Sequence, residues 1–331
     1  MWERFFEKFV SSHVGSLPLS YSQENFEKCF RDLVNLGLDV VPLPQLRDFV
    51  SMYVEPLVEK GLVERSKGFY KASEEDLAEA DHVTPVIPEL ELVYELSSKY
   101  GVQWLRVPIT GTFTLASKIY LGDPSRGIRA SALSSKELVV ESLSKYVGNI
   151  VRAAIEAEGR VIVIDEPILS SLVGRRVTLF GYSDDEIIEA YESELKRARG
   201  LLRGTHVCGR VSEKLVSMLC EVDRLEFLSH EFHDTPSNIE LPWRRLLEEG
   251  DKFLSPGVFS SRSAEVESIR EITSLARKVL RVVGLERVNV FAGDCGLGGL
   301  RGVERAYEVS MSKLGNLVRA VELLNKEYGL P

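Results

Sequence analysis

His206 and Cys208 stand two residues apart in a chain with five histidines and four cysteines. Alternate residues on an extended strand point the same way, so an imidazole and a thiol at this spacing can face one ion. Cys295 sits in "AGDCGLGGL" and Glu231 in "LSHEFHD", each at the end of an apolar run. One imidazole, two thiolates and a carboxylate suit Zn²⁺, whereas magnesium and calcium choose harder oxygen donors. His230 and His233 flank Glu231, and either offers an imidazole in its place. A lone H-x-C is a weak signal, since buried free cysteines are common. Donors at the ends of three such runs make it a stronger one. Cys29 and Cys220 fall in helical patterns and read as core, and His82 reads as a surface or loop histidine. Asp165-Glu166-Pro167 closes a further run, where an acid pair can cap a helix or bind substrate.

These groups need a frame. Short apolar, β-branched runs recur at residues 12–17, 37–43, 102–109, 160–165, 203–208, 222–231, 252–259 and 287–294. Amphipathic stretches with a helical period lie between most of them, such as "SQENFEKCFRDLVNL", with Phe26, Phe30, Leu33 and Val34 on one face. Eight alternations of strand and helix predict an α/β fold, a (β/α)8 TIM barrel, as one domain over residues 1–331. Strands covered by helices are apolar throughout, as these runs are. The active site of such a barrel lies where strands end and the following loops begin, which is where the donors above fall. The connection at residues 44–101, between the second and third strands, is unusually long. It holds "LVERSKGFYKAS", which reads as a hairpin turning at Lys67-Gly68.

Composition bounds the partners. Hydrophobic residues make up 44% and charged residues 27%, which suits a chain with a sizeable core. Net charge is −9 with both signs interspersed, so no basic stripe invites nucleic acid. No signal peptide and no membrane span is expected, because no long uncharged apolar run occurs. Four scattered cysteines do not make a disulfide framework. A reducing, cytoplasmic setting is expected, where such thiols bind metal, catalyse or are simply buried.

"SHVGSLP", "GTFTLAS", "VIDEP", "THVCG", "SHEF" and "DCGLGGL", in this order, resemble the catalytic half of cobalamin-independent methionine synthase. The likeness spans nearly the whole chain, and its length resembles the short, single-barrel archaeal form. The resemblance implies Zn²⁺ held by His206, Cys208, Glu231 and Cys295, with no catalytic group beyond the zinc site. It implies a homocysteine site in which Val14-Gly15-Ser16 hold the amino-acid end and Asp165 takes the ammonium. Where the family has a glutamate for that amino acid, this chain has Gln45. The activity implied is methyl transfer to the homocysteine thiol, giving methionine. Three departures bear on the methyl donor. Lys118 stands where the long form has a tryptophan against the pterin, Ser170-Ser171 where it has a glutamate for folate, and Arg262 where it has a proton-donating histidine. A methyl folate leaves through nitrogen and needs a proton, which an arginine supplies poorly. Cobalt(I) leaving from a methylated corrinoid needs none, so a methylcorrinoid, carried by a protein, is the expected donor. Two other readings remain: a corrinoid-dependent enzyme acting on another thiol such as coenzyme M, and a non-catalytic barrel stapled by zinc.

Overall fold

The apolar runs form parallel strands because their alternate side chains meet helices on one face and one another on the other. The computed structural model describes residues 6–66 and 68–331. Six strands make one parallel sheet, in spatial order β10 (Phe253–Pro256), β9 (Phe227–His230), β8 (Leu202–Val207), β7 (Val161–Asp165), β5 (Leu105–Thr110) and β2 (Val41–Pro42). A second parallel pair joins β1 (Val10–Ser11) to β11 (Val290–Phe291). Isolated parallel bridges link Leu254 to Val288 and Gly257 to Ala292 on one side, and Ser16 to Gln45 on the other. Val40 N also donates to Ser11 O at 3.0 Å.

Register decides which residues share a face. Val10, Val40, Val161, Val163, Leu202, Phe227, Phe253 and Val290 form one apolar cluster drawn from both sheets. Stepping by two along the strands from this cluster leads to Asp165, His206 and Ser229, which are therefore on the same face one or two layers higher. The other faces meet amphipathic helices in a larger core. Those helices start on hydroxyl caps. Ser212 accepts from Leu215 N at 3.1 Å, and Ser183 and Ser268 form capping boxes with Glu186 and Glu271. Cys29 and Cys220 are buried in helices Gln23–Asn35 and Glu213–Glu221, as expected. His82 is exposed.

Two expectations change. Residues 12–17 are not a strand. β1 lies just before them, and the chain leaves the sheet through Gly15, whose φ is +134°. A Cβ there would stand 2.9 Å from Pro108 Cγ and 3.1 Å from Leu43 O, so only glycine lets this turn lie against its neighbours. The long connection does hold a hairpin, β3 (Glu64–Ser66) with β4 (Phe69–Lys71). Lys67, expected at its turn, lies outside the described residues. The hairpin is not free-standing: β4 pairs with β6 (Ile119–Tyr120), so the excursion docks on the loop that follows β5. Among the described residues no helix is long and apolar enough to cross a membrane.

The Gly15 turn gives a stability test. Gly15→Ala should lower unfolding free energy by about 1–3 kcal/mol through backbone strain and the Pro108 clash. A urea transition whose midpoint matches the parent would show that the turn relaxes freely.

Candidate metal and substrate site

The strand ends open into a cavity of about 440 Å³ whose lining includes Val14, Ser16, Gln45, Asp165, His206, Cys208, Glu231 and Cys295. His206 is the last but one residue of β8, and Cys208 follows that strand directly. Cys295 was expected to close the last strand, but β11 ends at Phe291, so the thiol stands on the loop beyond it. The loop still delivers it. Cys208 Sγ lies 2.7 Å from Cys295 Sγ across 87 residues of sequence, and 3.0 Å from His206 Nε2. Donor atoms of His206, Cys208 and Cys295 all lie within 4.8 Å of one another. His206 Nδ1 is 3.1 Å from Ser229 Oγ, which fixes the ring and turns Nε2 toward the sulfurs.

The two sulfurs share one hydrogen bond. The Cys208 hydrogen bond, then His206, holds Cys295 well below the ordinary thiol range. The same bond, with burial, pushes Cys208 well above it.

Glu231 is buried and near, but is not gathered into that group of three. Its Oε2 accepts from Thr235 Oγ1 at 2.7 Å, and Arg262 Nη2 reaches both carboxylate oxygens at 3.1 and 3.0 Å. Neither flanking histidine joins the thiols either. His230 is buried with Nδ1 3.1 Å from Val207 O, and His233 Nδ1 lies 3.1 Å from Asp234 Oδ1.

The acid pair of "DEP" divides its roles. Asp165 lines the cavity, and its buried Oδ1 has no hydrogen-bond partner. Burial pushes its carboxyl up to about 7, against the pull of His206 and Arg106. Glu166 turns away and accepts from Phe113 N, Thr114 N and Thr114 Oγ1 at 2.7, 2.8 and 2.6 Å. It caps the turn after β5, so one of the two expected roles falls to each residue.

Ser16 holds the Cys295 loop in place. Gly298 N donates to Ser16 Oγ at 3.2 Å and Leu297 N to Ser16 O at 2.8 Å. Gln45 Nε2 is 3.4 Å from Pro108 O, to which Tyr53 OH also donates, and a Cβ at Gly15 would sit 3.5 Å from Gln45 Oε1. The amide nitrogen thus faces protein while the oxygen faces the Val14–Ser16 turn.

Several supports escaped the sequence reading. Asn238 Nδ2 donates to Gly209 O at 3.0 Å and Glu231 O at 2.8 Å, tying the Cys208 loop to the Glu231 loop. Asp294 Oδ1 accepts from Phe232 N and His233 N at 2.9 and 3.0 Å, and Oδ2 from Asp234 N. The aspartate beside Cys295 in "DCG" was the available signal; Asn238 lies in a polar loop with none.

With this geometry in view, similarity to known proteins can be weighed. Residues 134–322 match the family described as "Cobalamin-independent synthase, Catalytic domain". Methionine synthases of several Saccharolobus islandicus strains are 25% identical over 225 residues, covering 67% of this chain. The matched region spans 59% of the length of those relatives. Among solved structures, a B12-independent methionine synthase from Shewanella sp. W3-18-1, in complex with selenomethionine, superposes with a TM-score of 0.69 at 17% identity. That match covers 97% of this chain and 99% of the other. A methyltransferase from Methanosarcina mazei gives 0.65 at 17% identity, covering 96% and 95%. These two likenesses establish a shared α/β fold, and the matched region contains His206, Cys208, Glu231 and Cys295. The chain belongs to the family of cobalamin-independent synthase catalytic domains.

Proposed function

We propose that this chain is a zinc-dependent methyltransferase that moves a methyl group onto the thiol of homocysteine, making methionine. One observation carries the reading: His206, Cys208 and Cys295 converge within 4.8 Å on a cavity that Asp165 and Gln45 also line. The frame is one (β/α)8 domain over residues 1–331. The bridges on either side of the β1–β11 pair support closure, and the shared apolar cluster supports strands facing a common axis. The donor set fits zinc, because two thiols and a tethered imidazole are soft or borderline ligands. Glu231 is the fourth donor, supported by its buried carboxylate at the same cavity and by Thr235 and Arg262, which hold it there. Zinc, when bound, keeps a coordinated thiol deprotonated at neutral pH.

The remaining work belongs to the chain. Backbone groups of Val14–Ser16 receive the amino-acid end, Asp165 faces its ammonium, and Gln45 presents an amide oxygen beside it. A cytoplasmic setting agrees with free cysteines at a site that needs reduced sulfur.

The donor rests on the chain's own departures. Arg262 is engaged with Glu231, which pushes its pKa higher still and makes it a poorer proton donor, Lys118 is exposed, and Ser170 Oγ donates to its own Pro167 O at 2.9 Å. A methylated corrinoid, delivered by a protein, fits a site with no proton donor at this position. The family description and the B12-independent relatives weigh toward a methyl folate.

Three outcomes test this. Protein prepared without chelator should carry one zinc, and Cys208→Ser or Cys295→Ser should lose metal and methyl transfer together. Metal-free protein that takes up no added zinc would overturn the metal reading. Asp165→Asn should weaken homocysteine binding about tenfold or more, the order expected for a charge-assisted hydrogen bond. It should leave 4-mercaptobutyrate, which lacks the amine, unaffected; equal losses for both ligands would remove Asp165 from ammonium recognition. In side-by-side assays methylcobalamin should methylate homocysteine faster than methyltetrahydrofolate polyglutamate does. Transfer from the folate with none from the corrinoid would make the folate the donor.

A further inference from the structure

A buried cation lies beneath the site. Arg106 is on β5 in register with Val161, so its side chain shares the face of the apolar cluster, below Asp165. It is 1% exposed, and its Nε and Nη2 have no hydrogen-bond partner. A guanidinium without partners in a dry interior is costly unless negative charge lies close by. Asp165 and Cys295 supply that charge. Burial lowers the Arg106 pKa to about 10, with those two groups opposing the fall, so the side chain stays cationic at neutral pH. His13 adds no competing charge, since burial, then Arg106 and His206, push it down to about 3.

The charge of the site changes during the proposed reaction. Two thiolates and a carboxylate on Zn²⁺ sum to −1, and a substrate thiolate makes −2. In transfer, a sulfur electron pair forms the S–CH3 bond, and the donor departs with the pair of the bond that breaks. Sulfur becomes a neutral thioether, and the site returns to −1. A fixed cation beneath it favours the more negative state.

We propose that Arg106 is a positioning residue whose fixed positive charge makes this pocket hold a thiolate in preference to the thioether formed from it. Methylation then weakens the hold on its own product, and product leaves. The inference rests on the reading that the pocket methylates a thiol. Its test is equilibrium binding of homocysteine and of methionine to the zinc-loaded full chain, by calorimetry. Arg106→Met should raise the Kd for homocysteine about tenfold, the size of one pKa unit of lost charge stabilisation. The Kd for methionine should stay nearly unchanged. Arg106→Lys, which keeps the charge, should restore the parental ratio, a rescue that a packing role would not produce. Arg106→Gln serves as a second neutral variant if the methionine variant does not fold. Parental protein that binds neither ligand would overturn the thiol reading and this inference with it. Parental protein that binds both, with the same Kd ratio in the neutral variants, would overturn the role of Arg106 alone.

Discussion

The Asp294 carboxylate ties together the two loops that meet at the candidate metal site. Its oxygens accept the backbone N–H groups of Phe232, His233 and Asp234, while the next residue along its own loop is Cys295. Burial pushes its carboxyl up to about 6, although those three donors pull the other way. The clamp sets the Cys295 loop against the loop that follows Glu231. Asn238 makes the next link, bridging Glu231 O to Gly209 O beside Cys208. Trp243 then fixes Asn238, its Nε1 donating to Asn238 O at 2.7 Å from a fully buried position. Thiols 87 residues apart therefore meet through backbone carbonyls and amides that cannot move independently. A soft donor set held in this way would stand in place before any ion arrived.

The same layer concentrates buried charge. Glu166 is pushed well above the ordinary carboxyl range by burial and by neighbouring Glu194, itself raised to about 7 by burial. Glu166 spends both oxygens, and Glu194 its Oε1, on backbone N–H groups of residues 112–114, at the start of the turn after β5. Those acids are structural and lie behind the sheet edge. Asp165 and the thiols face the cavity instead. Arg106 meets them from beneath, and Arg262, 63% exposed, meets Glu231 from the solvent side. Negative groups are thus divided between a scaffold that holds loops and a site kept free for ligands.

Much of this was legible in sequence, and the limits have physical causes. "RVIVID" and "RGTHVC" announce β7 and β8 because β-branched runs between amphipathic segments have little else to form. The register between the two strands then puts Asp165 and His206 on one face. The convergence of Cys295 with Cys208 was expected from strand ends, but it is the loop beyond β11 that brings the two sulfurs together. The first strand was misplaced because "SHVGSL" reads as extended, while Gly15 at φ +134° breaks the pairing. The partners of Glu231 were not legible, since Thr235 and Arg262 reach it from loops whose approach no local pattern records. Arg106 was missed for a related reason. In "LRVPIT" nothing local says which face the arginine takes, and only the register with Val161 turns it inward.

Gln45 takes on a meaning from this distribution of charge. A carboxylate there would join Asp165 in lining one cavity, and like charges at close range raise each other's pKa. Asp165 already sits at about 7 through burial, so a second acid would drive one of the two into its neutral form near physiological pH. The amide avoids that repulsion. Its nitrogen lies against Pro108 O, beside the Tyr53 hydroxyl, and its oxygen is left toward the Val14–Ser16 turn. An ammonium in this pocket would meet one full negative charge and one dipole. That arrangement keeps hydrogen-bond recognition while leaving Asp165 easier to ionise than a paired carboxylate would be. The departure from a glutamate is therefore compatible with the amino-acid substrate proposed above, whose recognition would rest more on orientation than on charge count.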